Sequence, residues 1–347
     1  MRTKKGLTAL LNIKYPIIQA GMANVSRYDL AAAISNCGGL GTIGAGYMSE
    51  GDLREEINKI KQLTKKPFAV NLFVPSTPEY DEDKIKQAQE LLKPFNKELN
   101  VAPVEMKQSD DHEEFLNKIE VLIEERVPIV SFTFGIPSNE VINRLKDENI
   151  VLIGTATNVY EARLNEQKMD AVVLQGSEAG GHRGTFTTGK DTNIGLMALI
   201  PQVVDALNIP VIAAGGIVDI RGIKAAHALG AEGVQLGSLF LNTRESRAPS
   251  IHKWLINKEY DQTTLTKAFS GKDARGIQNT FISEMKPHES EFPDYPLQNT
   301  LTGAIRKKAS QLKDSRFLSL WSGQGHIKNK GNESAETVFK SLIESDV

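Results

Sequence analysis

A (β/α)8 barrel with a smaller, mainly helical lobe over its mouth is the α/β fold that this sequence predicts. Three observations carry that expectation. Short apolar runs alternate with helix-like stretches along about 240 residues; there are about eight such runs; and each is hydrophobic almost throughout, as suits a parallel strand covered on both faces. An open doubly wound sheet is the alternative.

The strand candidates are residues 17–19, 40–43, 68–71, 129–132, 151–153, 171–174, 211–214 and 233–236, and helical patterns fall at 27–33, 51–63, 139–147, 159–167, 199–206 and 222–229. Ser49 followed three residues later by Asp52 resembles an N-terminal capping pattern, and Leu229-Gly230 is a helical stop. Two segments break the rhythm. Residues 76–116 are polar, charged and marked by Pro78, Pro94 and Pro103, which reads as a partly helical elaboration of the third strand–helix connection. From about 241 to 304 the alternation lapses, as expected of a lobe that covers substrate. The expected organisation is therefore a barrel of residues 1–240 plus about 305–325, an insertion at about 76–116, a lobe at 241–304 and a polar tail at 331–347, frayed or loosely helical.

A chain of 347 residues with 40% hydrophobic and 24% charged residues can bury a large core. The net charge of -2 offers nucleic acid and anionic membrane no electrostatic attraction. The single cysteine, Cys37, excludes an intramolecular disulfide and fits a reducing compartment; it reads as a packed thiol at a helix end. No apolar run has signal-peptide or membrane-spanning character, so a cytoplasmic location is expected. Neither a heptad pattern nor an apolar stripe reveals an oligomeric state.

Gly39-Leu40-Gly41-Thr42-Ile43-Gly44 matches a dinucleotide-binding fingerprint by letter but not by context. A helix precedes it, a strand runs through it, and Thr64, Lys65 and Lys66 stand where an acidic residue is needed. These glycines are expected to let a helix and a strand pack closely.

In a parallel barrel, chemistry sits beyond the carboxyl ends of the strands. There the sequence places Gln19, Asn71, Thr133, Gly154-Thr155, Gln175, Gly215-Gly216 and Gly237-Ser238: amides, hydroxyls and bare backbone, with few charges. Such a rim suits a large, neutral, hydrogen-bonding ligand such as a flavin. The residue pattern contains no metal-ligand cluster and no nucleoside-triphosphatase loop. Gly215-Gly216 and Gly237-Ser238 follow the last two strands, where many barrels grip a phosphate monoester with backbone N–H groups, which points to FMN. The loop at 175–184 has glycines at 176, 180, 181 and 184, with His182 and Arg183 among them. Ordering a glycine costs about 0.5–1 kcal/mol more than ordering an alanine, so the cluster implies close approach of a ligand to the main chain.

Taken together, Tyr15-Pro16-Ile17-Ile18-Gln19-Ala20-Gly21-Met22, Asn36-Cys37-Gly38-Gly39-Leu40-Gly41, Pro67-Phe68-Ala69-Val70-Asn71, the 175–184 loop and the two glycine grips resemble the nitronate monooxygenases, FMN-dependent barrels formerly called 2-nitropropane dioxygenases. The likeness spans about residues 7–325. It implies that Asn71, Gln175, Gly180, Gly216, Gln235, Leu236, Gly237 and Ser238 contact FMN and that His182 is the active-site histidine beside the flavin ring. It also implies a small-molecule partner, an alkyl nitronate or nitroalkane, oxidised with O2 to a carbonyl compound and nitrite. His182 would stabilise the bound anion or remove the α-proton of a neutral nitroalkane, and Arg183, if its head lies close, would disfavour the imidazolium. Two departures stand out: many family members have proline where Gly21 stands, and Asn299 and Gly303 occupy offsets after Tyr295-Pro296 where tyrosine or lysine is expected.

A flavin-dependent enoyl-ACP reductase using NAD(P)H shares the barrel, the grips and a similar Glu-Ala-Gly-Gly-His loop. Arg183, the Ser131–Pro137 stretch and the 76–116 insertion favour the nitronate enzymes. A colourless phosphate-binding isomerase or lyase and a non-catalytic flavin carrier are the remaining readings.

Overall fold

The computed structural model describes residues 6–343 apart from 77, 79, 107–110, 188–192, 259–261 and 328–331. Eight parallel strands form the barrel: β1 (Ile17–Gln19), β2 (Gly41–Gly44), β3 (Phe68–Phe73), β4 (Ile129–Thr133), β5 (Val151–Ala156), β6 (Ala171–Gln175), β8 (Val211–Ala214) and β9 (Gly233–Leu236). Their order is β1-β9-β8-β6-β5-β4-β3-β2, and the seam closes where Gln19 N donates to Leu40 O at 2.9 Å and Leu40 N to Ile17 O at 3.0 Å. All eight apolar runs are therefore strands of a (β/α)8 barrel.

Local chemistry sets the surrounding helices. Ser49 caps the helix Glu50–Leu63, accepting from Asp52 N at 3.2 Å. The helix expected at 199–206 begins earlier, at Leu196, because the Glu178 carboxylate accepts from Leu196 N at 2.8 Å and supplies a cap from the neighbouring loop. The fingerprint-like glycines perform the packing role expected of them. A Cβ on Gly41 would sit 1.8 Å from Ala31 O, and one on Gly44 2.4 Å from the Met22 backbone. The helix Tyr28–Asn36 can lie that close to β2 only because Gly41 lacks a side chain, and the loop at Met22 can do so because Gly44 lacks one.

The 76–116 stretch contributes the helix Glu82–Leu99 and the start of Asp111–Glu124. The first leans on the lobe, with Phe95 against Phe281 at 4.8 Å and Phe317 at 5.9 Å between ring centroids. Beyond residue 241 the lobe contains helices, yet it also holds a sheet that the alternation reading does not anticipate. β10 (Thr263–Thr266) pairs antiparallel with β11 (Ala274–Ile277), which pairs with β7 (Gly181–His182) from the barrel loop. Polar Thr263-Thr264 and the Arg275-Gly276 step hide these strands in the sequence; cross-chain pairing makes them strands. The helix Gly303–Leu312 runs unbroken across residue 304.

The tail differs from the loose helix expected. The helix Ala335–Ile343 buries Ala335, Val338, Phe339 and Leu342, spaced for one face, and Phe339 packs on Tyr15 with centroids 6.0 Å apart.

Candidate active site

The strands deliver their terminal residues to one cavity of about 590 Å³ at the carboxyl end of the barrel. That volume lies within the range of cofactor sites. Asn71, Gln175, Gly180, His182, Gly216, Gln235, Gly237 and Ser238 all line it. Leu236 does not. Its side chain is fully buried in the core, as strand alternation between Gln235 and Gly237 requires, and only its carbonyl reaches toward the rim, accepting from Ala20 N at 2.9 Å. Leu236, expected to contact the ligand as part of the run Gln235–Ser238, can therefore do so only through its main chain.

Hydrogen bonding shows what each amide has left to give. Asn71 Nδ2 donates to Ser131 Oγ at 2.9 Å and Thr133 Oγ1 at 3.1 Å, which aims its Oδ1. Gln175 is largely committed to the loop it starts. Its Nε2 donates to His182 O at 2.8 Å, and its Oε1 accepts from Gly184 N at 2.7 Å and Arg183 Nη1 at 3.2 Å. One N–H of Gln175 remains for a ligand. Gly21 gives Asn71 its room, since a Cβ at 21 would lie 2.5 Å from Asn71 Cβ. This departure from the family pattern is matched to the amide beside it.

The two glycine turns expected to grip a phosphate gain a wall that the sequence reading missed. Residues 322–325 pass against the two glycine turns. Ser238 Oγ accepts from Gly323 N at 2.9 Å, Gln324 N donates to Glu178 O at 2.9 Å, and a Cβ on Gly180 would meet Gly323 N at 2.4 Å. Gly323 and Gly325 bracketing Gln324 are the sequence signal that could have pointed there. Gly215 and Gly216 adopt φ of +132° and +65°, backbone that other residues rarely adopt, and so turn main chain toward the cavity.

His182 is not on a free loop. β7 fixes it against β11, and Phe134, Tyr295 and Trp321 surround its ring at centroid distances of 5.7, 5.7 and 5.5 Å. Phe134 holds φ +73°, a strained conformation for an aromatic residue, at the end of β4. His182 Nε2 is buried and has no hydrogen-bond partner among the described residues. Burial, followed by the charges of Lys272 and Arg306, pushes the imidazole pKa down to about 3, so the ring is neutral. Arg183 is not the cause. Its guanidinium turns back to the strand end and donates to Gly176 O at 2.9 Å and Gln175 O at 3.2 Å. Lys272 comes from the 241–304 segment and Arg306 from the helix Gly303–Leu312, and neither carries a local motif, which is why the sequence reading missed them. Lys272 Nζ donates to Thr185 O at 2.6 Å and lies 5.2 Å from the Phe134 ring. Among the described residues no group of three or more potential metal ligands occurs, and no helix is long and apolar enough to cross a membrane.

A barrel whose mouth combines glycine turns, uncharged amides and a buried neutral histidine belongs among the flavin-dependent oxidoreductases. The cradle that Cβ atoms would fill, the cavity volume and the orphaned His182 Nε2 all fit a flavin mononucleotide-sized group. Comparison with known proteins narrows the class. The nitronate monooxygenase family profile matches residues 4–345, and the chain belongs to that family of flavin-dependent oxidoreductases. A probable nitronate monooxygenase of Staphylococcus aureus strain Newman is 49% identical over 99% of this chain and 97% of its own length. Nitroalkane oxidase from Streptomyces ansochromogenes superposes with a TM-score of 0.91 at 37% identity, covering 98% of this chain and 97% of that one. FabK from Thermotoga maritima superposes with a TM-score of 0.77 at 32% identity, covering 99% of this chain and 96% of that one.

Proposed function

We propose that this enzyme is an FMN-dependent monooxygenase that oxidises alkyl nitronates with O2 to carbonyl compounds and nitrite. The observation that carries this reading is the unpartnered Nε2 of His182, set in an aromatic box within the same cavity as the glycine cradle. FMN supplies the redox chemistry when bound. Asn71, Gln175 and Gln235 are assigned to its polar edge and sugar chain, and Gly180, Gly216, Gly237 and Ser238 to its phosphate.

The state of His182 selects between the two substrate forms. An imidazole that protonates only near pH 3 is a weak base toward a neutral nitroalkane. Its neutral N–H tautomer still donates one hydrogen bond to an anion. This favours a substrate that arrives already deprotonated. The surrounding Phe134, Tyr295 and Trp321 exclude water and hold the ring.

The test is a visible spectrum of the purified protein followed by anaerobic mixing with ethylnitronate or NADH. A yellow protein with stoichiometric FMN, bleached rapidly by ethylnitronate and producing nitrite in air, is expected. Bleaching by NADH but not by ethylnitronate would overturn the reading in favour of enoyl reductase chemistry, and a colourless protein that fails to take up FMN would overturn it altogether.

A further inference from the structure

Charge in the cavity wall is one-sided. Among the described residues that line it are Arg247, Arg306 and Lys307, and no Asp or Glu. Arg247 is neutralised by Asp29 at 2.7 Å, and Lys307 is exposed. Arg306 is half-buried and has no carboxylate within ion-pair distance among the described residues.

Its donors are shared out in a revealing way. Nη2 donates to Asn299 O at 2.6 Å and to Asn299 Oδ1 at 2.9 Å, and Nε donates to Thr302 Oγ1 at 3.2 Å. Three of the five N–H groups are thus fixed one and two helical turns back, and both N–H groups of Nη1 are left over. The helix Gly303–Leu312 carries the residue, and Gly303 keeps the adjacent space open, since a Cβ there would meet nothing within 4 Å. The guanidinium also stands close enough to His182 to oppose its protonation, and its charge favours the ionised forms of Tyr47 and Tyr295. It lines the same cavity as His182 and Tyr47. A half-buried cation held only by neutral acceptors is well placed to take an anion from the cavity that it lines.

We propose that Arg306 is the anion anchor of the substrate site, donating from its free Nη1 to an oxygen of a nitronate group, and that Asn299 is the positioning residue that aims it. This deepens the nitronate reading and rests on it for the identity of the anion. It also gives the Asn299 departure from the family pattern a role: the amide at that offset orients a charge instead of contacting substrate. Because His182 is neutral, charge pairing with the substrate falls to Arg306 and the histidine adds a hydrogen bond.

The test uses the flavin-loaded wild type, R306Q, R306K and N299A. Sodium nitrite, an unreactive two-oxygen anion, is titrated and followed by the visible difference spectrum, and ethylnitronate turnover is measured in parallel. R306Q is expected to weaken nitrite binding about 10- to 100-fold, the range for a charge-assisted hydrogen-bonded pair, and to raise KM far more than it lowers kcat. R306K should recover part of the loss. N299A, which keeps the charge, should weaken binding by about three- to tenfold. Nitrite binding within twofold of wild type in R306Q would overturn the proposal, as would failure of R306Q to retain flavin at wild-type thermal stability, which would assign Arg306 to the cofactor. If R306Q does not fold, unchanged nitrite binding in both R306K and N299A overturns it. Tight nitrite binding that R306Q abolishes, in an enzyme that ethylnitronate never bleaches, would sustain the anchor while refuting the nitronate reading.

Discussion

His182 lies opposite Ala274 in the antiparallel register of β7 and β11, and the next residue, Arg183, donates its N–H to Asp273 O at 2.8 Å. The lobe thus sets the main chain of the histidine, while Gln175 Nε2 holds its carbonyl from the barrel side at 2.8 Å. Held from both sides, the imidazole keeps one orientation without any hydrogen bond to Nε2. His182→Asn should therefore keep its flavin, because no cradle contact is lost, and lose turnover by about 10- to 100-fold, the scale of one hydrogen bond to a charged substrate. Flavin content by absorbance and kcat with ethylnitronate check both halves. Wild-type turnover should show no inflection near pH 6.5 that His182→Asn removes, since the ring stays neutral well below that pH.

Acid should destabilise the protein through two buried histidines. Burial lowers the pKa of His182 to about 3 and that of His252 to about 4. An unfolded histidine takes up its proton near pH 6.5, so between that value and the folded pKa the unfolded chain binds more protons and stability falls as pH falls. The combined loss by pH 4 is on the order of a few kcal/mol. Thermal unfolding at pH 7, 6, 5 and 4 should show Tm declining below pH 6.5. His252→Gln should flatten that slope whatever it does to Tm at pH 7.

Gly180→Ala should uncouple the cradle from the fold. The added methyl would meet Gly323 N at 2.4 Å and Ser322 C at 2.5 Å, both backbone, so the 322–325 segment must move away from Ser238. Flavin affinity is expected to fall by about tenfold or more, with a smaller effect on Tm of the flavin-free protein. Fluorescence titration of the apoprotein with FMN measures it.

Gly41→Ala should act on stability alone. Its methyl would fall 1.8 Å from Ala31 O, inside the contact between the helix Tyr28–Asn36 and β2. Overpacking of this kind costs about 1–3 kcal/mol or more, read as a lower urea midpoint. The flavin affinity of the folded fraction should stay unchanged, which separates this packing glycine from Gly180 and Gly216, which we assign to the ligand.

Much of this protein is legible along one dimension. The eight apolar runs specify barrel strands because a strand buried on both faces needs unbroken hydrophobicity, and a ring of such strands leaves no edge to solvate. The residue after each run then lands at the rim by geometry, so Asn71, Gln175, Gly216, Gln235, Gly237 and Ser238 reach the cavity together. Leu236 shows the limit of reading a motif as a block, since neighbouring residues on one strand point to opposite sides.

The electrostatics of the site were decided elsewhere. Burial in the closed mouth is the main reason that His182 is neutral, and Lys272 and Arg306, about ninety and more positions away in sequence, add to it. Arg183, its chain neighbour, turns aside. β10 and β11 are strands through their pairing with each other and, for β11, with the barrel loop, and the tail helix is anchored because Tyr15 offers Phe339 a surface. Local pattern fixes which face of an element is buried. Burial of a charge, and the company it keeps there, depends on which distant segments the closed barrel brings to its mouth.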